Sequence, residues 1–433
     1  MMLWLRTRWE SLATSLWFLP MIVVWAGAFA AIFALNADIS FEGKRPWWLY
    51  SGSAEGAVTL LATLLGALIT MATLALSITM VVLTLAANQL GPRLIRSFMA
   101  DRRTQAALGF FLGTIVYLVL ILRTLHGGLS DEQTPHIAIS TGTLLTIACV
   151  IVLLFFVHHL ARSIVSDNVV ERVGAVLDRA VETLLPERGE EAAVHRPPHL
   201  ETGTAFSLPR SFYVQAIDYD AIAELARRSD ATVELAFRPG HYILAGLDHV
   251  RVTPPAALTD EMKRGVAACM GLGPERTANQ DIEYSVRQLV EIALRALSPG
   301  INDPYTALAV IDRLSAVLVA VMDRGEPSGA WRDRDGTPRV FGPVSNFDGI
   351  VDAAFNQIRQ TGAGNAAVLI RLAERLGQLK IGATTGRQRA TLARHARVVA
   401  DVARRSLPDK SDLDACLERH DSAFESPTGP VQH

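Results

Sequence analysis

Cysteine, net charge and enzyme signatures are all scarce in this chain of 433 residues. Its three cysteines, Cys149, Cys269 and Cys416, lie too far apart for a disulfide framework or a metal-ligand spacing, and reduced thiols are expected. The 41 Lys and Arg residues nearly balance the 43 Asp and Glu residues, giving a formal net charge of -2. That balance removes any bulk electrostatic attraction to nucleic acid. No P-loop, HExxH, GxSxG or kinase signature occurs. Gly362-Ala363-Gly364-Asn365-Ala366-Ala367 spells GxGxxA, but it follows a predicted helix and has no acidic residue about twenty positions on, so it reads as a helix–helix turn. These absences predict no enzyme, no cofactor and no bound metal.

The most consequential absence is charge within four apolar runs, at 16–35, 57–90, 106–122 and 137–157, none of which contains Asp, Glu, Lys or Arg. With 50% hydrophobic residues and a mean hydropathy of +0.26, the chain is too apolar for an ordinary soluble protein. A membrane part joined to a soluble part is expected. Membrane cores without ionisable groups argue against a proton-driven transporter or a voltage sensor. His158 and His159 are adjacent, so a helix points them about 100° apart, which suits interfacial anchoring better than one metal.

The first run follows Arg6 and Arg8, is flanked by Trp4, Trp9 and Trp17, and continues past the signal-like Ala28-Phe29-Ala30. It is therefore expected to remain as an uncleaved anchor. Trp47-Trp48-Leu49-Tyr50 suits the opposite interface. Arg93, Arg96, Arg102 and Arg103 follow the second run, and Arg162 follows the fourth. The positive-inside rule then places both termini in the cytoplasm.

The second run is too long for a bilayer core of about 30 Å, because a helix of that length reaches roughly 50 Å. At about 100° per residue, Thr59, Thr63, Gly66, Thr70, Thr73, Ser77, Thr84 and Asn88 fall within roughly ±40° of one line. Met80 and Val81 interrupt the line. Two readings fit such a stripe. Small and hydroxylated residues allow close helix packing, or they line a water-filled path with Met80 and Val81 as its constriction. In the second case Arg93 and Arg96 form a cytoplasmic mouth favouring anions.

Beyond the fourth run, valines and leucines from 165 to 184 recur every three or four residues, predicting a stalk helix that ends at Pro186. SFYVQAI, ATVELAF and HYILAGL predict short strands, with a helix over 220–228. The segment PGHYILAGLDHV is similar to the half-barrel turn of lipoyl and biotinyl carriers but has no lysine at its tip, which argues against a carrier. From 256 onward the chain reads as helical, with 323–342 as an exposed loop. LSPGINDPYTA predicts a helical hairpin capped by Asp303 with Pro304 at the first helical position; Asn302, Asp303 and Tyr305 are candidate contacts for a subunit or ligand. The arginines of 387–405 predict a solvated basic face, with anionic lipid or an acidic subunit as second reading.

AANQLGPRLIRSFMADRRTQAALGFFLGTIVY, SFYVQAID, RPGHYILAG and ERTANQDIEYSVRQLVEIALRALSPGINDPYTALAVIDRL together resemble the bacterial membrane proteins of domain of unknown function 2254. The resemblance implies an integral inner-membrane protein with a cytoplasmic domain and no established activity. It also implies an acidic residue after Pro239-Gly240, where this chain carries His241.

The expected architecture is mainly α: a four-helix transmembrane domain (1–160), a stalk helix and proline-rich linker (161–209), a small β-rich cytoplasmic module (210–255) and a helical cytoplasmic domain (256–433). The expected function is a homo-oligomeric channel, lipid-embedded and passing an ion or small polar solute, with a cytoplasmic gating or assembly domain. A non-conducting membrane-anchored scaffold or sensor is the alternative.

Overall fold

Four long helices account for the apolar runs: α1 (Phe18–Ile39), α2 (Ala54–Leu90), α3 (Arg102–Leu125) and α4 (His136–Ser163). The computed structural model describes residues 17–39, 49–90, 99, 101–126, 134–163, 166–188 and 202–424, with side chains left undescribed at 39, 86–90 and 163–168. The chain divides into two compact units, Met1–Asn168 and Val169–His433.

In the first unit α3 is the central element, packing against α1, α2 and α4. Phe111, Tyr117, Leu118 and Ile121 are fully buried along it. Glycine sets the approach of α1. A methyl group on Gly27 would stand 2.3 Å from the Gly113 carbonyl oxygen, and one on Gly113 would stand 2.8 Å from that of Val23. Gly109 and Gly113 form a small-xxx-small pair, the spacing that lets two backbones touch where apolar packing against lipid gives no advantage.

Polar groups tie the helix ends together. The Asp38 carboxylate accepts from Ile137 N at 2.8 Å and Ala138 N at 2.9 Å, so α1 supplies acceptors for the first turn of α4. Tyr50 N donates to Ser140 Oγ at 2.7 Å, and Tyr117 donates to the Ala138 carbonyl at 2.9 Å. At the other end Asp101 caps α3 and takes a 2.7 Å bond from His159 Nε2. His159 thus hydrogen-bonds the α3 cap, a contact that the interfacial reading of the histidine pair did not anticipate.

The second unit begins within α5 (Ser166–Leu184), whose Val169, Val173, Leu177 and Val181 are buried as the spacing requires. Two sheets follow. The first runs β1 (Thr204–Ser207), β5 (Asp248–Thr253), β3 (Thr232–Leu235), β8 (Pro338–Phe341), β7 (Ala330–Arg332); the second runs β4 (Tyr242–Ile243), β2 (Phe212–Ile217), β6 (Met270–Gly273). All pairings are antiparallel except β3 with β8. α6 (Tyr219–Arg228) and α7 (Asp260–Ala268) share their core, centred on Val214, Ile222, Val233, Val252 and Val266.

The 323–342 loop is a correction. Asp333, buried, accepts from Asp335 N, Thr337 N and Arg339 Nε, folding WRDRDGTP into a hairpin whose return strand β8 joins β3. The sheets therefore draw strands from both sides of the 210–255 module. The segment after 256 is not wholly helical.

Helices α8 (Ile282–Ala296), α9 (Pro304–Asp323), α10 (Phe347–Thr361), α11 (Ala366–Gly382), α12 (Gly386–Ser406) and α13 (Lys410–Phe424) complete the unit. Asp281, Asp303, Asn346, Asn365 and Thr385 cap five of them through side-chain oxygens, as their sequence positions specify. GAGN at 362–365 is the expected turn between α10 and α11. By length and composition five described helices could cross a membrane, one more than expected, the fifth being Pro304–Asp323.

Candidate functional site

Helix α2 has two faces of opposite character. Ala57, Leu61, Leu68, Ala72, Ala75, Thr79 and Val82, three, four or seven residues apart, are buried against the chain's own helices. Thr59, Thr63, Gly66, Thr70, Thr73, Ser77 and Thr84 stand on the opposite, exposed face, together with Met80 and Val81. The stripe therefore does not pack helices within one chain. Asn88 lies where side chains are not described, and Arg93 and Arg96 lie outside the described residues.

Every described hydroxyl of the stripe turns back on its own helix. Thr59, Thr63, Thr70, Thr73, Ser77 and Thr84 donate to the carbonyls of Glu55, Thr59, Gly66, Ile69, Thr73 and Met80, at 2.8–3.1 Å. Each donor is satisfied locally, which leaves oxygen lone pairs pointing outward. The face is thus an array of weak acceptors with no unpaired donor. Met80 and Val81, 60% and 67% exposed, form an apolar step in that array.

The other exposed faces of this unit differ. α1 presents Met21, Ile22, Trp25, Phe29, Ile32 and Phe33; α4 presents Leu144, Ile147, Val150, Ile151, Leu154 and Phe155. These are large apolar side chains of the kind that face hydrocarbon. α2 exposes small and hydroxylated residues along its stripe, with Ile69, Leu74 and Leu85 as its large apolar exposures besides Met80 and Val81. At its start an open depression of about 560 Å³ is lined by Ser53, Glu55, Gly56, Thr59, Leu60 and Thr63. Glu55, two residues before the apolar run of 57–90, drew no notice in the sequence.

The predicted interaction hairpin is mostly explained by its own turn. Asp303 accepts from Thr306 N and Thr306 Oγ1, its own N–H donates to the Ala296 carbonyl, and Asn302 adopts φ +49°. Tyr305 is different: it is 81% exposed beside a half-exposed Ile301, and capping gives it no role. Of the arginines on α12, Arg387 pairs with Glu326 and Asp348, Arg394 with Asp352, and Arg404 with Asp401, so much of that basic face is neutralised within the chain.

Sequence reading also missed a buried charge network in the second unit. Asp281, fully buried, accepts from Arg276 Nε at 3.0 Å and Tyr284 N at 3.1 Å; Arg238 donates to the buried Glu283. Gly240, at φ +89°, lies against it: a side-chain carbon there would fall 1.9 Å from Asp281 Oδ2. No group of three or more His, Cys, Asp or Glu side chains suited to a metal occurs among the described residues.

An uncharacterized protein of Mycobacterium bovis and another of Mycobacterium tuberculosis are each 32% identical to this chain over 374 residues, covering 84% of it and 71% of their own length. No solved structure matches the chain. Residues 13–378 match the family described as predicted membrane protein, domain of unknown function 2254, and the chain belongs to that family.

Proposed function

We propose that the protein is a homo-oligomeric channel of the bacterial inner membrane, spanning it with α1–α4, with both termini and the second unit in the cytoplasm. The outward face of α2 lines the path, and the second unit gates or assembles it. The observation that carries this reading is the contrast among exposed faces: α1 and α4 offer lipid-facing bulk, whereas α2 offers hydroxyl oxygens and small residues. A second copy of α2 across a symmetry axis is the natural partner for such a face. An ion or small polar solute would pass from the Glu55 vestibule past the Met80–Val81 step, which dewets when narrow. α9 remains outside the membrane in this reading, because Asp312 and Arg313 at its middle are engaged by Arg371, Arg375 and Asp178 of its own unit. The protein performs no covalent chemistry.

A second reading, a non-conducting scaffold or sensor, is favoured by the local satisfaction of every described stripe hydroxyl, since packing alone then needs no water. One experiment separates the two. In proteoliposomes, a chain with its native cysteines replaced by alanine carries Thr70→Cys or, as control, Phe33→Cys. Cross-linking between protomers is expected at 70 and not at 33; its absence at 70 would sink the oligomer. Flux raised by Met80→Ser supports conduction, and no flux under any gradient leaves the scaffold.

A further inference from the structure

The second unit contains a cavity of about 340 Å³ whose walls include Arg238, His241, Tyr242, Arg276, Glu283 and Arg287. Its charges do not cancel. Three guanidinium groups face two carboxylates, those of Asp281 and Glu283, leaving a surplus of one positive charge. The three are held unequally. Arg238 and Arg276 are bonded to the carboxylates and mostly buried, whereas Arg287 is half-exposed and only loosely paired, 3.7 Å from Glu283 Oε2. Arg287 can therefore turn toward an incoming anion without abandoning a good hydrogen bond. Burial, followed by the neighbouring Arg238 charge, holds His241 below the usual histidine range.

The rim is apolar in an unusual way. The strand and turn that form one wall carry Tyr242, Leu244 and Leu247, each about half exposed, around Gly246, where an added side-chain carbon would meet nothing. Tyr242 lines the cavity, and Leu244 and Leu247 follow it in the same turn, so apolar surface adjoins the cationic site. The volume is near the lower end of small-molecule pockets, enough for a polar head but not for a pair of hydrocarbon chains as well. The chains of an amphiphile would have to lie outside, along Tyr242, Leu244 and Leu247.

We propose that this cavity binds the phosphate of an anionic phospholipid, with Arg276, Arg287 and His241 holding the head and the Tyr242–Leu247 turn supporting the start of the acyl chains. Guanidinium groups suit the site because they bond phosphate oxygens in pairs. The site is independent of the α2 path.

The test uses the full chain in a non-ionic detergent and measures binding of three probes: dihexanoyl phosphatidic acid, dihexanoyl phosphatidylcholine and inorganic phosphate. The lipids are kept below their micelle-forming concentrations. Phosphatidic acid is expected to bind at least ten-fold more tightly than either other probe. Arg287→Gln weakens it ten-fold or more, and Leu244→Ser with Leu247→Ser reduces it to the level of inorganic phosphate. These side chains are exposed or half-exposed, so the variants fold, and lipid sites on the first unit are common to all of them. In histidine-labelled protein, the His241 ring titrates at higher pH once phosphatidic acid is bound. Equal binding of phosphatidylcholine, equal binding of inorganic phosphate, or full retention of affinity in Arg287→Gln each overturns the proposal.

Discussion

Replacing Asp281 with alanine tests the buried charge network directly. The carboxylate is fully buried, and its partners Arg276 and Arg238 have side chains only 16% and 12% exposed. Its removal does two things. It deletes the cap that Tyr284 N donates to, worth about 1 kcal/mol, and it leaves guanidinium charge buried with one carboxylate too few, which in other buried pairs costs roughly 3–5 kcal/mol. Glu283 still holds Arg238, so the buried-charge cost is expected below that range, about 2–3 kcal/mol, and with the cap the total is about 3–4 kcal/mol. For a unit of this size each kcal/mol moves the midpoint by about 2–4 °C, so the second unit should melt roughly 10 °C lower. Near-ultraviolet circular dichroism reports it, because Trp331 stacks on Tyr219 with ring centroids 3.6 Å apart. Asp281→Asn keeps an oxygen for the cap and should recover about 1 kcal/mol of the loss. Arg276→Met should cost less in the alanine variant than in the parent, since the two residues act together. An alanine variant melting within about 2 °C of the parent would refute the reasoning.

Two further outcomes follow from the packing. His395 is buried, and burial together with the Arg394 charge holds it below the usual histidine range, while Asp352, pushed up by burial, is brought below the usual carboxylate range by bonds from Arg394 and His395. Both groups bind fewer protons folded than unfolded, so both contribute stability that is present above their unfolded pKa and lost on acidification. Stability of the second unit should fall from about pH 6.5 downward and again below about pH 4, and His395→Gln should flatten the first part in denaturant titrations across pH. In the first unit, Gly27→Ala drives a methyl group into the Gly113 carbonyl. It should destabilise the α1–α3 pair by about 1–3 kcal/mol, read as a lower midpoint in detergent unfolding.

Local signals in the sequence were strong where one residue type has one job. Asp218, Asp281, Asp303, Asn346 and Asn365 each precede a helix and each caps it, because a short side-chain oxygen at that position reaches the free amides of the first turn. The line of hydroxyls on α2 was equally legible, since helical periodicity alone places it. Its direction was not. A small-residue face can turn inward or outward, and only the second periodic set, from Ala57 to Val82, decides which; that set is ordinary in composition and drew no attention. Strands β7 and β8 were hidden for another reason. They are three and four residues long and flank a charged turn, and the buried carboxylate of Asp333 that shapes that turn looks in sequence like any surface aspartate.

Helix α9 shows why apolar length alone does not determine which helices meet lipid. It is as long and apolar as a spanning helix needs to be, and it is buried to the same degree as α3. Hydropathy measures only how much a helix prefers to leave water, and a protein interior satisfies that preference as well as a bilayer does. The exposed side chains carry the missing information. α1 leaves six large apolar residues uncovered and α4 seven, whereas along α9 the uncovered positions are Tyr305, Ala316, Val319, Ala320 and Asp323. Asp312 and Arg313, adjacent on α9, point to different partners, Arg371 and Arg375 on α11 and Asp178 on α5, so the helix is fixed by ion pairs on two sides. An apolar helix with its bulk inside and its charges paired by flanking helices is a core helix. One with its bulk outside needs a solvent of hydrocarbon, and on that criterion the proposed reading keeps α1 and α4 in the membrane and α9 out of it.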